Sequence, residues 1–164
     1  MKTRMAGIVV GMLVGALMMA GCGGGDGDGG NDSEPTVQDN SRFFGNYRYS
    51  LTASLQGDTA ADNGVVVIGG DVSRRDDDDY LYIPSTGESE TYSGTDSSGA
   101  YTTTVNVSGQ TLSWHEESRD DDGEYTTDVT LQFADDGNSA AVSGRQVRTH
   151  GGQVITIAGT FTRR

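Results

Sequence analysis

The residues able to do chemistry in this 164-residue chain are few: one cysteine, two histidines and a surplus of acids. Cys22 is the single thiol, so no internal disulfide holds the fold, and its role has to be read from its surroundings. His115 and Glu117 stand two apart, which puts both on one face of a strand at a spacing that serves a metal; two ligands, however, do not complete a coordination shell. Asp76, Asp77, Asp78 and Asp79 follow Arg74-Arg75, and their hard oxygens would hold calcium weakly. The competing expectation for that run is a solvated hairpin loop. Asp26, Asp28 and Asp32 alternate like calcium-loop ligands, but Asn31 stands where such a loop needs glycine and Val37 where it needs glutamate. Serines are plentiful, yet no Gly-x-Ser-x-Gly elbow occurs. Lys2 is the only lysine, which excludes a glycine-rich phosphate loop closed by lysine. With 24 acids no glycosidase-like carboxylate pair stands out. The expectation is a protein that is not an enzyme and carries no cofactor.

The segment around Cys22 explains the cysteine. Lys2 and Arg4 give a basic start, and the uncharged, mostly apolar run from Met5 to Ala20 is shorter than the ~20 residues that span a bilayer. Small residues close it, as in a secretory signal peptide. Met19-Ala20-Gly21-Cys22 resembles the lipobox of bacterial lipoproteins, with methionine where leucine is usual. That resemblance implies cleavage before Cys22, diacylglycerol on its sulfur and an acyl group, such as palmitate, on the new amino terminus. Two or more chains anchor stably where one does not. Gly23, in place of aspartate, implies the outer membrane of a double-membraned bacterium. Residues 1–21 are therefore expected to be a lipoprotein signal peptide. Residues 22–40 form the lipidated cysteine and a disordered tether, rich in glycine and aspartate, that cannot bury enough apolar surface to order itself.

Residues 41–164 read as one β-domain. Tyr47, Tyr49, Leu51, Ala53 and Leu55 alternate with polar residues, as do Tyr101, Thr103, Val105 and Val107. Tyr125, Thr127, Val129, Leu131 and Phe133 form the cleanest alternation, and Ile155, Ile157, Gly159 and Phe161 close the chain with another. Leu112 and Trp114 share a face, Val65 to Ile68 is a continuous β-branched run, Tyr80 to Ile83 is short, and Ala140 to Arg148 is weaker. Ser108-Gly109, Asp122-Gly123, Asp136-Gly137 and Gly151-Gly152 supply turns between neighbouring strands. The expected fold is all-β, an antiparallel up-and-down meander of eight or nine strands, and this regularity favours a barrel over a sandwich. Phe44-Gly45-Asn46-Tyr47 before the first strand resembles the opening of lipocalin-like barrels, with tyrosine in place of tryptophan, and Arg163-Arg164 is similar to the ending whose arginine covers such barrels. That resemblance implies a barrel able to take a small ligand.

Two functions from different classes follow. The first is a non-catalytic, lipid-anchored envelope lipoprotein whose acidic β-domain contacts envelope proteins or polymers. The second is a lipocalin-like binder of a small apolar or aromatic ligand, with Tyr47, Tyr49, Tyr101, Trp114 and Tyr125 at its mouth. A net charge of −13, deepened to −15 once Lys2 and Arg4 leave with the signal, excludes the phosphate backbone of nucleic acid as a partner.

Overall fold

A computed structural model describes residues 38–74, 77, 79–95, 99–120, 123–149 and 151–164. Cys22, the signal segment and residues 23–37 of the spacer lie outside the described residues, as do Asp76, Asp78 and His150.

A short 3-10 turn, Ser41–Phe43, leads into nine strands. They are β1 (Gly45–Leu55), β2 (Asp58–Gly69), β3 (Tyr80–Tyr82), β4 (Ser89–Thr95), β5 (Ala100–Ser108), β6 (Thr111–Asp120), β7 (Gly123–Phe133), β8 (Ser139–Arg148) and β9 (Val154–Arg163). All nine belong to one sheet in the order β3-β2-β1-β9-β8-β7-β6-β5-β4. The sheet is strongly curled into a half-barrel. The expected all-β meander is present: β4 to β9 pair consecutively and antiparallel, and β9 returns to β1 as an up-and-down barrel requires.

Two features depart from a simple meander. β3 runs parallel to β2, a pairing that a tight hairpin turn cannot make. The edges of the sheet are therefore β3 and β4, and side chains span the space between them. Trp114 Nε1 donates to the Tyr82 carbonyl (3.3 Å), Tyr82 donates its hydroxyl to Glu90 (2.8 Å), and the Tyr82 and Tyr92 rings meet edge to face at 5.9 Å.

The turns follow from chemistry that the sequence makes visible. Gly109 and Gly137 adopt φ of +55° and +67°, a region that penalises any side chain with a Cβ. β4 is less visible: its residues, SETYSGT, include no aliphatic side chain, so sequence alone gives no strand there. Gln38, Asp39 and Asn40, assigned to the tether on composition, engage the domain. Asp39 bridges to Thr86, and fully buried Asn40 donates its amide to the Pro84 and Gly87 carbonyls at 2.9 and 2.8 Å.

Inside the half-barrel, strand register stacks the inward side chains in rows. Val107, Leu112, Leu131 and Val142 form one row, and Val105, Trp114 and Val129 the next. Phe43, Tyr47, Tyr49, Phe133 and Phe161 fill the end near the 3-10 turn with aromatic contacts. This end of the interior is a packed core in which Tyr47, Val105, Val107 and Leu112 are fully buried.

Candidate functional site

The opposite end of the interior is built differently. Moving along β5 to β8 from the apolar rows, the next inward row is Thr103, Glu116, Thr127 and Gln146, each opposite its neighbour. All four are buried. Burying polar groups costs free energy unless they are hydrogen-bonded. Here Thr103 donates to Glu116 Oε2 (3.2 Å), and Gln146 Nε2 donates to the Thr127 hydroxyl (3.2 Å). The final inward row is Tyr101, Ser118, Tyr125 and Arg148, with the Arg148 guanidinium 5.8 Å from the Tyr125 ring centre. The interior thus changes from apolar to polar along the strand direction.

A cleft of about 410 Å³ lies at this polar end, among the strand termini of β5, β6 and β7. Its lining includes Tyr101, Ser118 and Tyr125, but Ala100, Thr102, Glu117, Arg119, Glu124 and Thr126 alternate with that inward row and so belong to the outer face of the sheet. Arg119 pairs with Glu124 at 3.6 Å, holding one side of the opening together. The Ser118 hydroxyl is buried and has no hydrogen-bond partner, and register places it between Tyr101 and Tyr125.

The five aromatic residues expected at a ligand mouth therefore divide. Tyr101 and Tyr125 come together at the cleft. Tyr47, Tyr49 and Trp114 lie in the packed core. Tyr47 donates its hydroxyl to the Phe43 carbonyl (2.9 Å) and lies beneath Arg163, whose guanidinium carbon is 5.4 Å from the ring centre. Burial pushes the Tyr47 phenol above its usual pKa, and the Arg163 hydrogen bond and charge oppose that rise. Burial also raises the Tyr49 phenol, with the Asp62 carboxylate adding to the shift.

The metal candidates are arranged as follows. The Arg74 guanidinium engages Asp77 at 2.7 Å and Asp79 at 3.4 Å. His115 Nδ1 is 2.7 Å from Asp128 Oδ1, and its Nε2 is 3.8 Å from Glu117. Among the described residues no group of three histidine, cysteine or acidic side chains is placed to hold a metal.

Asp128 carries a testable consequence. Its carboxyl is held below the usual carboxylate range, first by the His115 hydrogen bond and then by Arg145, whose Nε lies 3.2 Å away, while partial burial opposes both. A depressed folded-state pKa contributes stability that is present above about pH 4 and is lost as pH falls through the folded value. Asp128→Asn is therefore expected to flatten the acid limb of a melting-temperature profile below about pH 4. An acid limb identical to the parent's would remove Asp128 from the account.

Sequence reasoning missed Glu116, Ser118, Gln146 and Arg148 as inward residues. The signal was parity: on β6, Glu116 and Ser118 continue the face that Leu112 and Trp114 begin, and on β8, Gln146 and Arg148 continue the face of Val142.

No family model matches the chain, and no curated protein matches it. A Bacteroides ovatus protein of unknown function, solved by structural genomics, is similar at 14% identity and a TM-score of 0.37. The match covers 74% of this chain, which spans only 41% of the length of that one. The ywiB protein from Bacillus subtilis is similar at 10% identity and a TM-score of 0.34, covering 73% of this chain and 90% of that one. At such scores the fold assignment rests on the strand pairing itself.

Proposed function

We propose that the chain is a lipid-anchored, non-catalytic lipoprotein of the bacterial cell envelope, favouring the outer membrane, which presents a small acidic β-domain to envelope proteins or polymers. The observation that carries the reading is the sequence around Cys22: a basic start, a short apolar run, and Met19-Ala20-Gly21 directly before the only cysteine. The covalent lipid on that sulfur is the one group the reading requires. Residues 23–37 separate Cys22 from the first described residues of the domain, which lets the domain stand clear of the bilayer.

Labelling cells with radioactive palmitate tests the anchor. The parent protein is expected to take up label and to sediment with membranes. Cys22→Ala is expected to lose the label and the anchorage that two acyl chains provide. An unlabelled parent that retains Met1 would overturn the reading.

A second reading, a lipocalin-like binder of a small ligand, is favoured by two observations. Tyr47 and Arg163, the residues that carry that resemblance, are in contact, and a cleft opens beside Tyr101 and Tyr125.

A further inference from the structure

Residues 38–40 do more than lead into the domain; they begin an antiparallel pair with residues 85–87. Asp39 bridges to Thr86, the Asn40 amide donates to the Ser85 carbonyl (3.0 Å), and the Gly87 amide donates to the Gln38 carbonyl (2.9 Å). Followed toward the amino terminus, these residues run alongside 85, 86 and 87 in turn. The chain preceding Gln38 is therefore aimed at β4, into which Gly87 turns with a φ of +87°.

β4 is an edge of the sheet and pairs with β5 alone. The Val107 amide donates to the Glu88 carbonyl (2.7 Å), which turns the backbone of residue 88 toward β5. Backbone groups alternate in direction along a strand, so the N–H and C=O of Ser89, Thr91, Ser93 and Thr95 point to the open edge. Tyr82 of β3 reaches Glu90, Tyr92 and Trp114, all inward residues, so its contacts lie on the concave side of β4 and leave that edge row without a strand partner among the described residues. Proteins cover such an edge or blunt it with lysine, proline or a bulge. The β4 sequence, SETYSGT, contains neither lysine nor proline.

We propose that residues 30–37 of this same chain add to the β4 edge as a further antiparallel strand. Asp39 opposite Thr86 sets the register: Thr36 falls opposite Ser89, Glu34 opposite Thr91 and Asp32 opposite Ser93. These are the pairs in which both backbones exchange hydrogen bonds. Pro35, which has no N–H, falls opposite Glu90, whose backbone faces β5; its missing donor is thus on the solvent side, where an edge strand accepts proline. Asp32 and Glu34 stand opposite the hydroxyls of Ser93 and Thr91, not opposite acids. Val37 and Thr36, both β-branched, adjoin the pairing already formed. Covalent attachment through Gln38 gives this segment a high effective concentration at the edge, which a second copy or a separate partner lacks. The docking itself does not depend on a lipid. Where the anchor of the proposed function is present, docking leaves residues 23–29 to reach the membrane, about 25 Å when extended, against about 50 Å for residues 23–37.

Residue-resolved amide hydrogen exchange on the full chain tests this. The amides of Ser89, Thr91 and Ser93, and those of Asp32, Glu34 and Thr36, are expected to exchange at least about 10-fold more slowly than in an unstructured peptide. Glu34→Pro removes a donor that the pairing needs and is expected to abolish this protection. Ser33→Pro, at a position opposite Tyr92 whose N–H faces solvent, is expected to retain it. Amides of β7 and β8 report that both variants remain folded. Fast exchange at Ser89, Thr91 and Ser93 in the parent overturns the docking. Equal loss of protection in the two proline variants overturns the register. Protection that survives Glu34→Pro overturns the tether as occupant, and its disappearance on dilution would assign the edge to a second copy. Exchange reads no lipid, so an unlabelled parent in the palmitate experiment leaves this result standing.

Discussion

Gly159→Ala is expected to cost about 3–4 kcal/mol, a large fraction of the ~5–15 kcal/mol that stabilises a typical domain. Gly159 lies on the inward face of β9, opposite Leu51 on β1 and Val142 on β8. A Cβ placed there would sit 2.1 Å from the Ser50 carbonyl oxygen and 2.9 Å from the Leu51 Cα. The two nearest obstacles are backbone, so no rotamer change relieves them, and the β1–β9 pairing has to move. That pairing is where the last strand returns to the first, so the strain falls on the step that makes the sheet a half-barrel. On the neighbouring strand β8, Gly144 permits the same close approach, since its Cβ would meet the Asp128 carbonyl oxygen at 2.6 Å. Missing side chains on the concave side allow neighbouring strands to approach and the sheet to curl. Thermal unfolding checks this: the expected midpoint falls by about 10 °C. Ala158→Ser, one residue away on the exposed face, serves as the control. A Gly159→Ala midpoint as close to the parent's as that control's would show that the close approach does not set the curl.

The curl shows how much of the architecture was legible beforehand. Alternation on β1, β5, β7 and β9, with glycine turns between neighbours, was enough to give an antiparallel meander of eight or nine strands, where nine are present. Alternation reports which side chains share a face; it does not report which strands form the edges. The opening therefore fell between β3 and β4, after a link that the sequence marks only as a polar loop. β4 itself escaped notice because its inward residues, Glu90, Tyr92 and Gly94, carry too little apolar character to alternate visibly.

The same limit hid half of the candidate site. Tyr101 and Tyr125 stood out as aromatics, whereas Ser118 and Glu116 look like solvent-facing residues until the parity of Trp114 is carried two and four positions along β6. A polar residue on a concave face leaves the same trace in the sequence as one on a convex face. Register decides between them, and register is a property of pairs of strands.

Arg163→Ala is expected to cost about 2–4 kcal/mol, because hydrogen bonds from a charged group are among the stronger single contributions to stability. From the last residue of β9, the Arg163 Nη2 donates to the Arg42 carbonyl (2.7 Å), the Phe44 carbonyl (3.0 Å) and the Tyr47 hydroxyl (2.9 Å), while Nε reaches the same hydroxyl at 3.2 Å. These bonds tie the end of the chain to the 3-10 turn and the first strand across 116 to 121 residues of sequence. The Gly45 backbone passes close beneath, where a Cβ would stand 3.3 Å from Arg163 Nε. Lysine does not substitute well, since its ammonium lacks the planar fork that serves three acceptors at once. The destabilisation in Arg163→Lys is therefore expected to lie nearer to alanine than to the parent. Absorbance titration supplies an independent readout. Because Arg163 opposes the burial that raises the Tyr47 phenol, its loss should move that phenol's ionisation to still higher pH in any fraction that remains folded. Tyr47→Phe tests the other side of the contact. It removes an acceptor of Arg163 and the donor to the Phe43 carbonyl but leaves the ring, so its cost should be smaller than that of Arg163→Ala. Equal costs would place the stabilisation in the Tyr47 hydroxyl alone. A larger cost for Arg163→Ala would place it in the carbonyls of the turn that the arginine holds against the barrel end.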